Sequence, residues 1–193
     1  MGVVYFDLSM SLDGFIAGPN VSVENPMGDG GERLHEWMFV GKSDDESRAF
    51  EEEVFAPTGA MVMGRRMLDL GIEPWGDNPT FHMPVFVVTH DAHDPIVKAG
   101  GTTYTFVTTG LASALEQARV VAGDRDISIA GGANLVQGCL AAGVVEDVRL
   151  HVIPVLLGDG VRLFESIDAS TELELASVVE SAGVVHLRYR LLS

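Results

Sequence analysis

The sequence is short of cysteine and of base. Cys139 is the single cysteine among 193 residues, which excludes an intramolecular disulfide and any metal site built from several thiolates. Twelve Lys and Arg stand against 28 Asp and Glu, a net charge of −16. A nucleic-acid binder needs a basic face to neutralise phosphates, so DNA and RNA are not expected partners. No apolar run reaches the roughly 18–20 residues of a membrane-spanning helix. The leading MGVVYFDLSM has no basic stretch ahead of its apolar residues, which argues against a secretory signal. The expected setting is the cytoplasm, away from membranes. Internal repeats, low-complexity tracts and Pro/Gly/Ser-rich linkers are missing too. So are a P-loop, a G-x-S-x-G nucleophile elbow and a G-x-G-x-x-G following the first strand, which sets aside a classical Rossmann dehydrogenase.

What is present is a globular composition, 47% apolar and 21% charged, expected to fold as one domain over residues 1–193. Ten of the acids fall between Glu24 and Glu53 and read as a solvated loop and helix face. Val3 to Met10 is a strand, followed by the Ser11-Leu12-Asp13-Gly14 turn and a Gly/Pro/Asn-rich loop to about Gly31. Asp44 to Phe55 is an expected helix, stopped by Pro57 and Gly59. Ala60 to Met63, Pro84 to Thr89 and Thr103 to Thr108 are apolar runs suited to strands covered on both faces. Leu111, Leu115, Ala118 and Ala122 recur at helical spacing. Asp126 to Ala130 is a strand, Asn134 to Ala142 a helix and Val145 to Leu156 a long strand. Val185, Leu187, Tyr189 and Leu191 alternate with polar residues and pair with Leu173 to Val179 as a hairpin. The expected class is α/β, three-layered, with a mostly parallel mixed sheet and a C-terminal antiparallel hairpin.

Two junctions suit phosphate. Gly131-Gly132-Ala133-Asn134-Leu135 lies between a strand and a helix, where glycines allow close backbone approach and the helix start offers N–H groups. Met63-Gly64-Arg65-Arg66-Met67 ends another strand, and its arginines are the only Lys or Arg residues between Arg48 and Lys98. Guanidinium forks suit phosphate oxygens, including a 2′-phosphate. Each junction also reads as an ordinary turn or surface ion pair. His90-Asp91-Ala92-His93 is a polar loop, and no metal is expected. Cys139 reads as a small core residue, and His186 as the polar face of a strand.

The ordered set Ser9–Ala17, Val62–Arg66, Val87–Thr89, Ile129–Ala133 and Pro154–Gly160 resembles the dihydrofolate reductase-like superfamily. The resemblance is closest to the reductase domain of riboflavin biosynthesis, the RibD C-terminal domain type, and covers about Val3 to Leu191. It implies an NADPH-dependent reductase. By that resemblance Ile16 and Ala17 flank the nicotinamide, and Gly64, Arg65 and Arg66 hold the 2′-phosphate and nearby pyrophosphate. Thr89 lies by the adenine ribose, and Gly131, Gly132, Ala133, Asn134 and Leu135 cradle the pyrophosphate. Met67 stands where many members carry a Thr, and Phe15 where riboflavin reductases often carry a base.

The expected reaction is hydride transfer to a small heterocyclic or imine-like substrate, similar to 5-amino-6-(5-phosphoribosylamino)uracil reduction. Asp13 is the candidate for proton delivery or substrate hydrogen bonding, its alternative being a cap on the turn before Gly14. Ser9, Glu36 and Trp37 are further substrate candidates. A homodimer is expected by analogy. Two other readings stay open: a non-catalytic NADP(H)- or nucleotide-binding protein, and a hydrolase using Ser9 or Ser11 with Asp13 and a histidine.

Overall fold

A computed structural model describes residues 2–39, 55–165, 167, 171–181 and 183–192. The expected helix Asp44–Phe55 lies, but for its last residue, outside the described residues. Along the chain run β1 (Val4–Ser11), β2 (Phe15–Ala17), a 3-10 turn (Gly31–Leu34), the short helix α1 (Glu36–Phe39), β3 (Thr58–Gly64), α2 (Arg65–Gly71), β4 (Pro84–Val88), β5 (Ile96–Val97), β6 (Thr103–Val107), α3 (Leu111–Ala122), β7 (Asp126–Ile129), α4 (Ala133–Ala141), β8 (Asp147–Ile153), β9 (Val161–Arg162), β10 (Leu173–Ser181) and β11 (Val184–Leu191). They form two compact units, one of residues 1–4 and 42–132, the other of residues 5–41 and 133–193.

In the first unit the strands follow the order β7-β3-β4-β6-β5. The first four are parallel, and β5 closes the edge antiparallel to β6. The apolar run Ala60–Met63 is buried throughout, which is why it reads as continuous rather than alternating. α3 turns Ala114, Leu115, Ala118 and Ala122 inward, the stripe that a 3.6-residue period dictates. Met61, Met63, Leu68, Phe81, Met83, Val85, Val87 and Tyr104 make the core. Phe81 meets Trp75 and Tyr104 edge-to-face, the arrangement aromatic quadrupoles favour.

The second unit orders its strands β10-β11-β8-β1, with β1 and β8 parallel and the other pairings antiparallel. A separate ribbon joins β2 to β9, a pairing absent from the sequence expectations. β8 starts at Asp147 rather than Val145, and it ends before the expected Leu156 because Pro154 has no N–H to give the ladder. Leu34, Ile153 and Val184 pack with Trp37, Val155 and Leu157. Cys139 is buried on α4, and burial pushes its thiol up to about 12, as befits a core residue rather than a nucleophile. Among the described residues no helix is long and apolar enough to cross a membrane.

Candidate active site

In the first unit, parallel strands β3 and β7 end side by side, and Gly64 N–H donates to Gly131 C=O at 3.2 Å. The two glycine-bearing junctions therefore meet. Gly131 has φ +83°, and the Gly131–Gly132 peptide is cis. A Cβ on Gly132 would meet nothing within 4 Å, so this backbone borders open space. Directly after Gly64, α2 begins with Arg65 and Arg66. Arg65 donates from Nε to Asp69 at 2.7 Å and from Nη1 to His93 Nε2 at 2.6 Å. Its guanidinium lies 5.7 Å from the Phe106 ring centre. Arg66 is exposed. Thr89, at the end of β4, is buried, and its hydroxyl accepts from Asp91 N–H.

In the second unit Asp13 follows β1. Its carboxylate accepts from Ser11 Oγ at 2.6 Å, Leu157 N at 3.1 Å and Gly158 N at 2.7 Å. The Ser11 hydroxyl chiefly, and the two backbone donors, hold the carboxyl down to about 2. Asp13 is thus a carboxylate at neutral pH, and its geometry favours the anchoring alternative over proton delivery: it ties the turn to the Leu157–Gly158 loop. Ile16 and Ala17 lie in β2 next to this turn, and Ala133, Asn134 and Leu135 open α4.

Strand register places a second group. Across β1, β8 and β11, Asp7 faces Arg149 and Arg149 faces Arg188, while Ser9 faces His151 and His151 faces His186. Ser9 is buried and accepts from Trp37 Nε1 at 3.1 Å. The Trp37 ring lies 4.6 Å from His151 and 5.0 Å from His186, between ring centres. His151 Nε2 is 2.6 Å from Asp7 Oδ1, and its Nδ1 is 2.6 Å from His186 Nδ1. His186 Nε2 is in turn 2.7 Å from Ser181 Oγ. Asp7, Arg149, His151, Ser177, His186 and Arg188 line a cavity of about 140 Å³. Burial, then the charge of His151, lowers His186. The same two causes bring His35 down to about 4.

The structure thus brings two of the substrate candidates, Ser9 and Trp37, into hydrogen-bond contact, and leaves Glu36 exposed at the start of α1. Asp7 and His151 escape the sequence reading, which takes His186 only as the polar face of a strand. Their signal is alternation: Asp7 and Ser9, then Arg149 and His151, then His186 and Arg188 each mark a polar face on an otherwise apolar strand. Among the described residues no group of three or more His, Cys, Asp or Glu is placed to hold a metal ion.

Comparison with solved structures defines the class. The chain superposes over its full length on a putative riboflavin biosynthesis protein from Shewanella sp. PV-4, which it also covers fully, with TM-score 0.73 and 23% identity. It superposes on 98% of a dihydrofolate reductase from Enterococcus faecalis complexed with NADP(H), with TM-score 0.57 and 14% identity. The fold is dihydrofolate reductase-like, the α/β class expected. The chain belongs to the RibD C-terminal domain family, matched over residues 3–187, a family of reductase type. It is 23% identical over 193 residues to the uncharacterized Bacillus subtilis protein YyaP, covering 96% of this chain and 93% of that one.

Proposed function

We propose that this protein is an NADPH-dependent reductase that delivers hydride to a small heterocyclic or imine-like acceptor. The observation that carries the reading is the Gly64–Gly131 junction with two arginines at its edge. Its chemistry fits the cofactor. Gly132 presents backbone beside open space for a pyrophosphate, and Arg65 and Arg66 supply forked donors for a 2′-phosphate. Thr89 is the candidate at the adenine ribose. Ile16, Ala17, Ala133, Asn134 and Leu135 enter the same proposal through the resemblance. The bound cofactor supplies the hydride; the protein holds and orients it. The NADP(H) complex of the Enterococcus faecalis enzyme, which shares the fold, supports the choice of cofactor. A homodimer belongs to this reading, supported by β10, an edge strand with Leu173, Leu175, Val178 and Val179 exposed.

Cofactor choice tests it. In a chain of charge −16 the long-range field opposes a 2′-phosphate, so local positive charge must outweigh it. Charge-assisted hydrogen bonds contribute roughly 1.5–3 kcal/mol. Arg65→Ala or Arg66→Ala is therefore expected to weaken NADPH about ten- to a hundredfold and NADH much less. Calorimetric titration of wild type and both variants with each cofactor decides. Equal affinities for the two cofactors, or equal losses in the variants, would sink the role of the arginines. NADPH bound but never oxidised against pterins, aminopyrimidines and imines would leave the non-catalytic alternative.

A further inference from the structure

The contacts of Asp7, His151, His186 and Ser181 tie the direction of every hydrogen in the chain they form to the charge of Asp7. An ionised carboxylate only accepts, so His151 donates from Nε2 to Asp7. The neutral ring then has a bare Nδ1, and His186 must donate to it from its own Nδ1. That leaves His186 Nε2 bare, and the Ser181 hydroxyl donates to it. All four groups are satisfied in one direction. Reversing all three bonds satisfies them equally, with Asp7 protonated and each ring carrying its hydrogen on the other nitrogen. Two hydrogens cannot share the 2.6 Å gap between the Nδ1 atoms, so the rings cannot both be imidazolium.

We propose that Asp7, His151, His186 and Ser181 form a proton-transfer site, in which the histidine pair binds one shared proton and passes it between solvent at Ser181 and the cavity at Asp7. The step balances without redox change. A proton from hydronium joins Ser181 Oγ, leaving water, as the serine hydrogen passes to His186 Nε2. The pair then holds one added proton, with the Nδ1 hydrogen shared between the rings, and its passage to His151 Nδ1 releases the Nε2 hydrogen of His151 to Asp7. Ser181 is exposed, at the end of β10, and Asp7 is a fifth exposed on the cavity wall. The groups facing the pair act in both directions. Asp7 on β1 and Glu180 on β10 favour the added proton, while Arg149 on β8, Arg188 on β11 and any charge on His35 oppose it. Trp37 covers both rings and reports on them. The relay does not rest on the reductase reading.

The test needs neither cofactor nor substrate. Nitrogen-15 NMR of the six imidazoles is followed from pH 8 to 4, with Trp37 emission read in a Trp75→Phe background, because imidazolium quenches indole. His151 and His186 are expected to take up one proton between them, in one step, with Trp37 emission falling in that same step. In His186→Ala, His151 is expected to gain a whole proton alone, at a shifted midpoint. Separate whole protonations of both rings in the wild type, or an unchanged His151 titration in the variant, would overturn the proposal. Should His186→Ala not fold, Ser181→Ala serves, since that side chain is exposed: the hydrogen of His186 is expected to redistribute between its nitrogens. Unchanged His186 nitrogen shifts there would overturn it as well. Failure to bind NADPH removes the reductase reading and leaves the relay standing; independent histidines do the reverse.

Discussion

Asp147 shows how much one buried carboxylate can hold. It is 3% exposed at the start of β8 and takes Arg188 through both Nε, at 2.7 Å, and Nη2. Arg149 Nε stands 3.6 Å from its other oxygen, and the Arg149 guanidinium lies 3.9 Å from the Tyr5 ring centre. Such an ion pair is costly to desolvate, so its presence is no measure of net stability, but removing one member strands the rest. Asp147→Ala is therefore expected to lose about 3–5 kcal/mol, read from urea unfolding. Arg188→Ala is expected to cost less, because Arg188 is half exposed and Asp147 keeps Arg149. Residue-scale meaning was only partly legible in the sequence. The glycine and arginine junctions could be read locally, because each is a contiguous string. The Asp7–His151–His186 chain could not: its members stand 144 and 35 positions apart, and only strand register makes them neighbours.

Among the elements, the ribbon of β2 and β9 hangs on a glycine. Gly160 has φ +133°, and a Cβ there would lie 2.1 Å from the Ala17 carbonyl oxygen. Gly160→Ala forces both a backbone conformation reserved for glycine and a collision with its partner strand. The expected cost is at least about 1–3 kcal/mol. Hydrogen exchange is expected to quicken at Leu163 N–H, which donates to Gly14 C=O beside the ribbon. Unchanged protection there would place the ribbon's stability elsewhere.

Element by element, legibility followed local information. α3 runs from Leu111 to Ala122 as its periodicity dictates, bounded by Gly110 and Gly123 at positive φ. β4 and β6 match their apolar runs within a residue. α2 was missed because seven residues burying only Leu68 and Gly71, with no side-chain cap, leave little periodicity to read. β2 and β9, three and two residues long, exist only through a pairing that spans most of the chain.

For the whole molecule, the histidines set the acid limb of stability. Burial, then the charge of His151, brings His35 from 6.5 down to about 4 in the folded state. Above pH 6.5 the ring is neutral folded or unfolded, and nothing is lost. As pH falls from 6.5 to 4 the unfolded chain takes a proton that the folded one refuses, so stability drops. The full loss corresponds to about 3 kcal/mol. His186 is lowered too and steepens the same limb. Asp13 acts further down: its contribution, present above 3.8, is lost as pH falls through about 2. Urea unfolding at intervals from pH 7 to 4 is expected to show this decline, and His35→Gln to flatten it. An equal slope in the variant would assign the decline to other groups.

The buried thiol of α4 gives the molecule a built-in clock. Cys139 is fully covered, and its high pKa keeps it from reacting while it stays so. An alkylating reagent therefore reaches it only when that part of the chain opens. Since no second cysteine competes, the labelling rate of the unaltered protein times those openings one event at a time.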